Sequence, residues 1–359
     1  CEISKMSNTN NSLEMRLLDT FPYPMMILNE KRELKYANSA ASEIFDIRAI
    51  GRDLSLSIRI PELLEATSLA IKEKKHSEIE ISLSTPVYRV LRANIISNVN
   101  LIEFFNASIM ISFLDITSQI FSDKVRQDFI ANLSHELRSP LASLIGFIET
   151  LSGPARDDEN ARLKFLKLMK GETYRMIRMV DDLLSLAKIE GRESIKPNDQ
   201  INIIQLLNTN QELFLARAEK NLIDFNMKQL TEIPNITGDQ DELMKVFQNL
   251  IDNAIKYGDK NSPVTIEVFM VTHIPDLGGK GVAISIFNKG EDIAPEHIPR
   301  LTERFYRIDK SRSRKLGGTG LGLAIVKHIL NRHRGILKIE SKKGYGSTFI
   351  VYLPIKNSH

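Results

Sequence analysis

A chain of 359 residues, 42% of them apolar, has room for two or three domains with cores of their own. Lys and Arg number 48 against 45 Asp and Glu, and a formal net charge of +3 gives no support to nucleic-acid binding through bulk charge. The single cysteine, Cys1, rules out an internal disulfide and fits a reducing compartment.

No run of about 18 apolar residues and no signal-peptide pattern is present. The chain begins with Cys rather than Met and reads as a fragment start. Membrane attachment, where there is any, is then expected only through a segment missing from this chain.

Residues 1–16 form a polar lead-in or linker. From 17 to 118 the pattern is mixed. Pro24 to Leu28 is a short apolar run, Glu30 to Glu33 a polar turn, and Leu34 to Ala37 a second strand. Ser39 is placed to cap a short helix ending at Phe45. Glu78 to Leu83, Val87 to Ile96 and Ala107 to Leu114 read as further strands, so the domain is α+β with a mostly antiparallel sheet.

From 119 to 195 the pattern becomes helical. Ile130, Leu133, Leu137, Leu141, Leu144, Ile148 and Leu151 recur at three- and four-residue spacings. Gly153-Pro154 breaks this helix, and Asp157 to Asn160 supplies an acidic start for the next. Leu166, Met169, Thr173, Met176, Val180, Leu183 and Ala187 then form a heptad seam. Two long helices with a short connection predict an antiparallel hairpin. Their seams are too long for one partner, which predicts a four-helix bundle made by two chains.

Residues 196–359 read as α/β. Helices are expected over Asp239 to Tyr257 and Leu321 to Arg334. Strands are expected over Val264 to Val271, Val282 to Asn288, Leu337 to Glu340 and Thr348 to Leu353.

Three stretches carry chemistry. In Ser134-His135-Glu136-Leu137-Arg138-Ser139-Pro140, His135 sits midway between the seam residues Leu133 and Leu137. At about 100° per residue it lies about 200° from either and points to solvent. A neutral, exposed imidazole is a nucleophile. Glu136 beside it is a candidate base that fixes the tautomer and takes up the proton. Pro140 should kink the helix one turn later.

In Asn249 to Tyr257, Asn249, Asn253, Lys256 and Tyr257 share one helix face. Amide oxygens suit Mg²⁺, and Lys256 suits a phosphate. In Gly317 to Val326, glycines run into an apolar helix start, where backbone N–H groups approach phosphate oxygens closely. No Gly-Lys-Ser/Thr follows, so this is not a Walker loop. Between these stretches, seven positive charges from Arg300 to Lys315 suit a flap over a triphosphate better than a nucleic acid, for which there is no reading helix or aromatic platform.

Taken in order, these stretches resemble the boxes of the two-component sensor histidine kinases, over roughly Phe121 to Pro354. The H-box is Ser134 to Pro140, the N-box Asn249 to Tyr257, the F-box Glu303 to Arg307 and the G2 box Gly318 to Leu323. Tyr36-Ala37-Asn38 and Asp115-Ile116-Thr117 resemble a PAS sensor domain, and the whole is similar to the phosphate-regulon sensor kinases.

The resemblance implies a multidomain α+β chain. Its parts are a PAS-like domain (17–118), a dimerising phosphotransfer hairpin (119–195) and an ATP-binding domain of the Bergerat α/β sandwich fold (196–359). It implies ATP-dependent phosphorylation of His135 with Glu136 as base, then transfer to an aspartate of a response regulator receiver domain. Ser139 stands where the family positions water for regulator dephosphorylation. ATP and Mg²⁺ are implied, with Asn253 on the metal and Asn249 alongside. The implied nucleotide site is completed by Lys256, Tyr257, Asn288, Gly290, Ile293, Phe305, Gly318, Thr319, Gly320, Leu321 and Gly322. A homodimer at the cytoplasmic side of a bacterial inner membrane is implied as well.

One box departs from the pattern. Asn288 stands where an Asp usually reads the adenine amine, and Asp292 where a glycine is usual. An uncharged acceptor implies nucleotide affinity weaker by about 1 kcal/mol. Asp292 would hinder the backbone if that position needs positive φ. The alternative reading is therefore a nucleotide-weak signalling scaffold that mostly dephosphorylates its regulator.

Overall fold

The computed structural model describes residues 18–47, 50–84, 87–97 and 108–355. The lead-in over 1–16 lies outside the described residues. The chain divides into two compact units, one up to Asp128 and one from Phe129 onward.

The first unit is built on one antiparallel sheet. Its strands are β1 (Met25–Leu28), β2 (Leu34–Ala37), β3 (Ser77–Leu83), β4 (Arg89–Ser97) and β5 (Ile109–Asp115), in the spatial order β2-β1-β5-β4-β3. Alternation places Leu91, Ala93 and Ile95 of β4 on the core face with Ile109, Ile111 and Phe113 of β5. Helix α1 (Ser39–Phe45) is capped by Asn38, not by the expected Ser39: Asn38 Oδ1 accepts from the Ala41 N–H at 3.0 Å. Asn38 is fully buried, also accepts from the Met25 N–H and donates to the Tyr23 carbonyl, so it ties β1 to the helix start.

Helix α2 (Pro61–Glu73) was not anticipated. Pro61 opens it, and only Leu63, Thr67 and Ala70 are buried along it, a narrow stripe among polar residues. At the end of β5, the Asp115 carboxylate accepts from Thr117, whose hydroxyl accepts in turn from the Val90 N–H.

Helix α3 (Thr117–Ser152) passes through Pro140 without interruption, and α4 (Glu159–Glu190) starts at the Asp158 cap. In the second unit they form the expected hairpin. Strand β6 (Asp199–Ile201), helix α5 (Ile203–Lys220), β7 (Phe225–Gln229) and β8 (Ile236–Gly238) come next. Then follow α6 (Gln240–Tyr257), β9 (Val264–Val271), β10 (Gly281–Asn288), a short α7 (Lys310–Lys315), α8 (Gly322–Arg332), β11 (Ile336–Lys342) and β12 (Gly346–Pro354).

The main sheet has the order β11-β12-β10-β9-β7, antiparallel except for the parallel pair β7–β9; β6 and β8 form a separate ladder. Val246, Phe247, Leu250 and Ile251 of α6, Ile325 and Ile329 of α8, and Ile284 and Ile286 of β10 share one core. This is a layer of helices on a mixed sheet, with α6 lying between α5 and α8.

Among the described residues no helix is long and apolar enough to cross a membrane.

Candidate nucleotide and phosphoacceptor site

Three elements converge on a cavity of about 490 Å³: the face of α6, the end of β10 and the glycine loop that opens α8. Asn249, Asn253, Lys256 and Tyr257 all line it, as their common helix face requires. Asn288, Ile293, Gly318, Thr319, Gly320 and Gly322 line it too. Gly290, Phe305 and Leu321 are not among its lining residues.

These three hold the walls. Leu321 is fully buried in the core below the loop. Gly290 bridges to Gly258, so close to the Tyr257 carbonyl that a side chain there has no room. Phe305 has φ +63°; its N–H donates to the Gly320 carbonyl, and its ring sits 5.7 Å from that of Phe129 on α3.

The loop is fixed by close approach. Gly320 has φ +76°, and a Cβ there would stand 2.9 Å from the Phe305 Cα; at Gly322 it would stand 2.5 Å from the Asn249 Oδ1. The Gly318 N–H donates to the Ser313 carbonyl, and Tyr257 Oη lies 3.3 Å from the Ser313 hydroxyl.

Charge is distributed unevenly. Asp252 pairs with both Lys256 and Arg217, and Arg312 pairs with Glu291. Asn288, at the last position of β10, is 3% exposed, a buried, uncharged amide at the edge of the cavity. Asp292 is not among the residues with positive φ, so its carboxylate replaces glycine without backbone strain. It accepts instead from the Gly344 N–H in the β11–β12 turn.

His135 is exposed on α3, as its phase predicts. Its neighbour Glu136 is buried, and the hydrogen bonds described at its carboxylate come from Arg175 of α4 at 2.9 Å and Arg307 at 3.2 Å. The same Arg307 nitrogen donates to the Thr319 carbonyl, so the residue beside His135 is joined to the glycine loop through one guanidinium. Ser139, one turn on, is half-buried, and its carbonyl accepts from the Ser143 hydroxyl.

Sequence reasoning missed the hairpin's share of this site. Arg178 and Asp182 of α4 line the cavity with Lys245 and Phe214. The Thr319 hydroxyl donates to the Asp182 carboxylate at 2.7 Å. Burial pushes the Asp182 carboxyl up, against the Thr319 bond and nearby cations, and burial pulls the Lys245 ammonium down. The signal was present in the sequence. Arg175, Met179, Asp182, Leu186 and Ile189 alternate at four and three residues, a second stripe that packs toward the ATP-binding layer beside the heptad seam.

The cavity fits a nucleotide. Its lining includes one buried amide, Asn288, the backbone of the glycine loop and several cations. Among the described residues no group of three or more His, Cys, Asp or Glu side chains could hold a metal. A Mg²⁺ here would rest on the Asn253 amide oxygen, with Asn249 alongside, and on ligand oxygens and water.

Comparison with known proteins agrees with this arrangement. Residues 238–357 match the family of histidine kinase-, DNA gyrase B- and HSP90-like ATPases, residues 125–192 the His Kinase A phospho-acceptor domain, and residues 15–77 a PAS domain. The histidine kinase ThkA, solved in complex with the response regulator protein TrrA, shares the fold with a TM-score of 0.51 at 21% identity, over 95% of this chain and 98% of that one. The sensor histidine kinase WalK of Bacillus subtilis is 35% identical over 67% of this chain and 39% of its own length; a WalK of Staphylococcus aureus is 38% identical over 67% and 56%. The phosphate regulon sensor protein PhoR of Pseudomonas aeruginosa is 33% identical over 332 residues, 70% of its own length. That likeness covers 90% of this chain, well beyond any single domain, and the chain belongs to the two-component sensor histidine kinases.

Proposed function

We propose that this chain transfers the γ-phosphoryl group of ATP to His135 and then to an aspartate of a response regulator receiver domain. The observation that carries the reading is the convergence of Asn249, Asn253, Lys256, Tyr257, Asn288 and the glycine loop on one cavity, tied through Arg307 to the residue beside an exposed histidine.

In the transfer, an imidazole nitrogen attacks the γ-phosphorus, the N–P bond forms and the bond to the bridging oxygen breaks. ADP leaves with that electron pair, and the ring proton passes to the base, Glu136. Lys256 and the glycine-loop amides hold the phosphates while charge shifts toward ADP. Asn253 would hold a Mg²⁺, which would supply further charge neutralisation. Glu136 takes its role as base once it gives up its contacts with Arg175 and Arg307 to face the His135 ring. Ser139 positions water for regulator dephosphorylation, so the chain is also a regulator phosphatase.

The apolar side chains left exposed on the hairpin support a homodimer. Ile145, Ile148, Leu166, Ile177, Val180 and Leu184 are each 45–66% exposed on α3 and α4. The chain works at the cytoplasmic side of the membrane, with three parts: PAS-like (17–118), hairpin (119–195) and ATP-binding (196–359).

The neutral, buried Asn288 favours a second reading, a nucleotide-weak scaffold acting mainly as a phosphatase. Label chase decides between them: after incubation with γ-labelled ATP and Mg²⁺, label should appear on the chain and move to an added receiver domain. Regulator dephosphorylation without any labelling of the chain would favour the scaffold.

A further inference from the structure

We propose that helix α4 of the hairpin supplies a nucleotide-binding residue, Arg178, which contacts the polyphosphate of ATP and so divides the phosphate subsite between hairpin and ATP-binding layer. The proposal rests on the reading of the cavity as an ATP site.

Three observations lead to it. The first is position. Arg178 lines the cavity at the glycine loop: a Cβ on Gly317 would stand 2.6 Å from its Nη2 and 3.2 Å from its Nη1. Gly317 has φ +70°, a backbone conformation that favours glycine, and the guanidinium lies directly on the loop backbone.

The second is charge. The other arginines of the cavity are committed: Arg217 to Asp252, Arg312 to Glu291 and Arg307 to Glu136. Lys256 is held by Asp252 at 2.5 Å. Among the described residues no carboxylate lies within 4.0 Å of Arg178, whose Nε makes a long 3.4 Å bond to the Tyr174 carbonyl. A planar, permanently charged fork beside a glycine-rich loop matches phosphate oxygens two at a time.

The third is registry. One helical turn further along α4, Asp182 accepts from the Thr319 hydroxyl, and Met179 between them is fully buried. Arg178 therefore projects from a helix that the Asp182–Thr319 bond ties to the loop.

The expected consequence is selective for phosphate. In calorimetric titrations of the whole chain at fixed salt and Mg²⁺, Arg178→Ala should raise the Kd for ATP about tenfold, the loss of one charge-assisted contact. The Kd for adenosine should move less than twofold. Arg178→Lys should recover part of the ATP affinity, because it keeps the charge and loses the fork.

Unchanged ATP affinity in Arg178→Ala would overturn the proposal. So would equal losses for ATP and adenosine, which would mark Arg178 as a packing residue of the hairpin contact. A wild-type chain that binds neither ligand would instead remove the ATP-site reading, and this proposal with it.

Discussion

Replacing Asn288 by Asp restores a charge at the base end of the cavity, and the structure sets the size of the effect. Asn288 is 3% exposed, at the end of β10, paired in register with Val264 on one side and Ser347 on the other. Water screens little there, so the difference between a neutral and a charged acceptor is felt. A neutral hydrogen bond contributes about 0.5–1.5 kcal/mol and one to a charged group about 1.5–3. The expected gain for the adenine amine is about 1 kcal/mol, or roughly fivefold in Kd.

Without ligand the same carboxylate is a buried charge lacking a partner, so the empty variant should be less stable than wild type by about 1–3 kcal/mol. Saturating ATP should recover most of that loss. Guanine presents a carbonyl where adenine presents an amine, so the variant should also reject GTP more strongly. Calorimetry with ATP, adenosine and GTP, with melting curves with and without nucleotide, reads all three effects. Equal ATP affinity in Asn288→Asp, or tighter GTP binding, would refute the placement of Asn288 against the base.

Other tests address different parts of the molecule. His333 is buried with its ring held neutral by burial: Nε2 accepts from the Asp239 N–H, Nδ1 lies 2.8 Å from the Ile329 carbonyl, and Glu242, Asp239 and Arg332 surround it. Its folded pKa is depressed, so the unfolded chain takes up the proton first. Stability should fall as pH drops below about 6.5, by up to about 1.4 kcal/mol per unit, and His333→Gln should flatten that slope in denaturant titrations. Arg307→Ala removes one of the two arginine bonds described at Glu136 and takes the Arg307 donor from the Thr319 carbonyl, so the second unit should lose about 3 kcal/mol in chemical unfolding. Ile177→Asp places a charge among the exposed apolar side chains of α4 and should shift the chain from dimer to monomer in sedimentation, with folding intact.

How much of this was legible in the sequence depended on whether the signal was periodic. The faces of α3, α4 and α6 follow from apolar spacing alone, and so does the exposure of His135. Strands β9 and β10 were legible because both are apolar runs bounded by turns; their pairing was not. Weaker signals were lost. Helix α2 buries only three residues, and α5 hides its apolar stripe among Asn, Thr and Gln. The capping role went to Asn38 rather than Ser39 because Asn38 is one residue earlier and fully buried, where its amide serves three backbone groups.

The site shows the same division. Residues within one motif arrived together, since one helix face or one loop carries them. Arg178 and Asp182 did not, because α4 meets the glycine loop across 137 residues of chain in the Thr319–Asp182 bond, and the heptad seam is the stronger of the two stripes on α4. Glu136 was read from its neighbour in sequence, whereas its described bonds come from residues 39 and 171 positions away.

The central claim is that His135 receives the phosphoryl group, and one measurement addresses it directly. The purified chain and its His135→Gln variant are incubated with γ-labelled ATP and Mg²⁺, and the modified residue is mapped by mass spectrometry under conditions that preserve phosphohistidine. The account predicts an alkali-stable, acid-labile modification at His135 in the wild type and none in the variant. Label persisting in the variant, or mapping to another side chain, would contradict it.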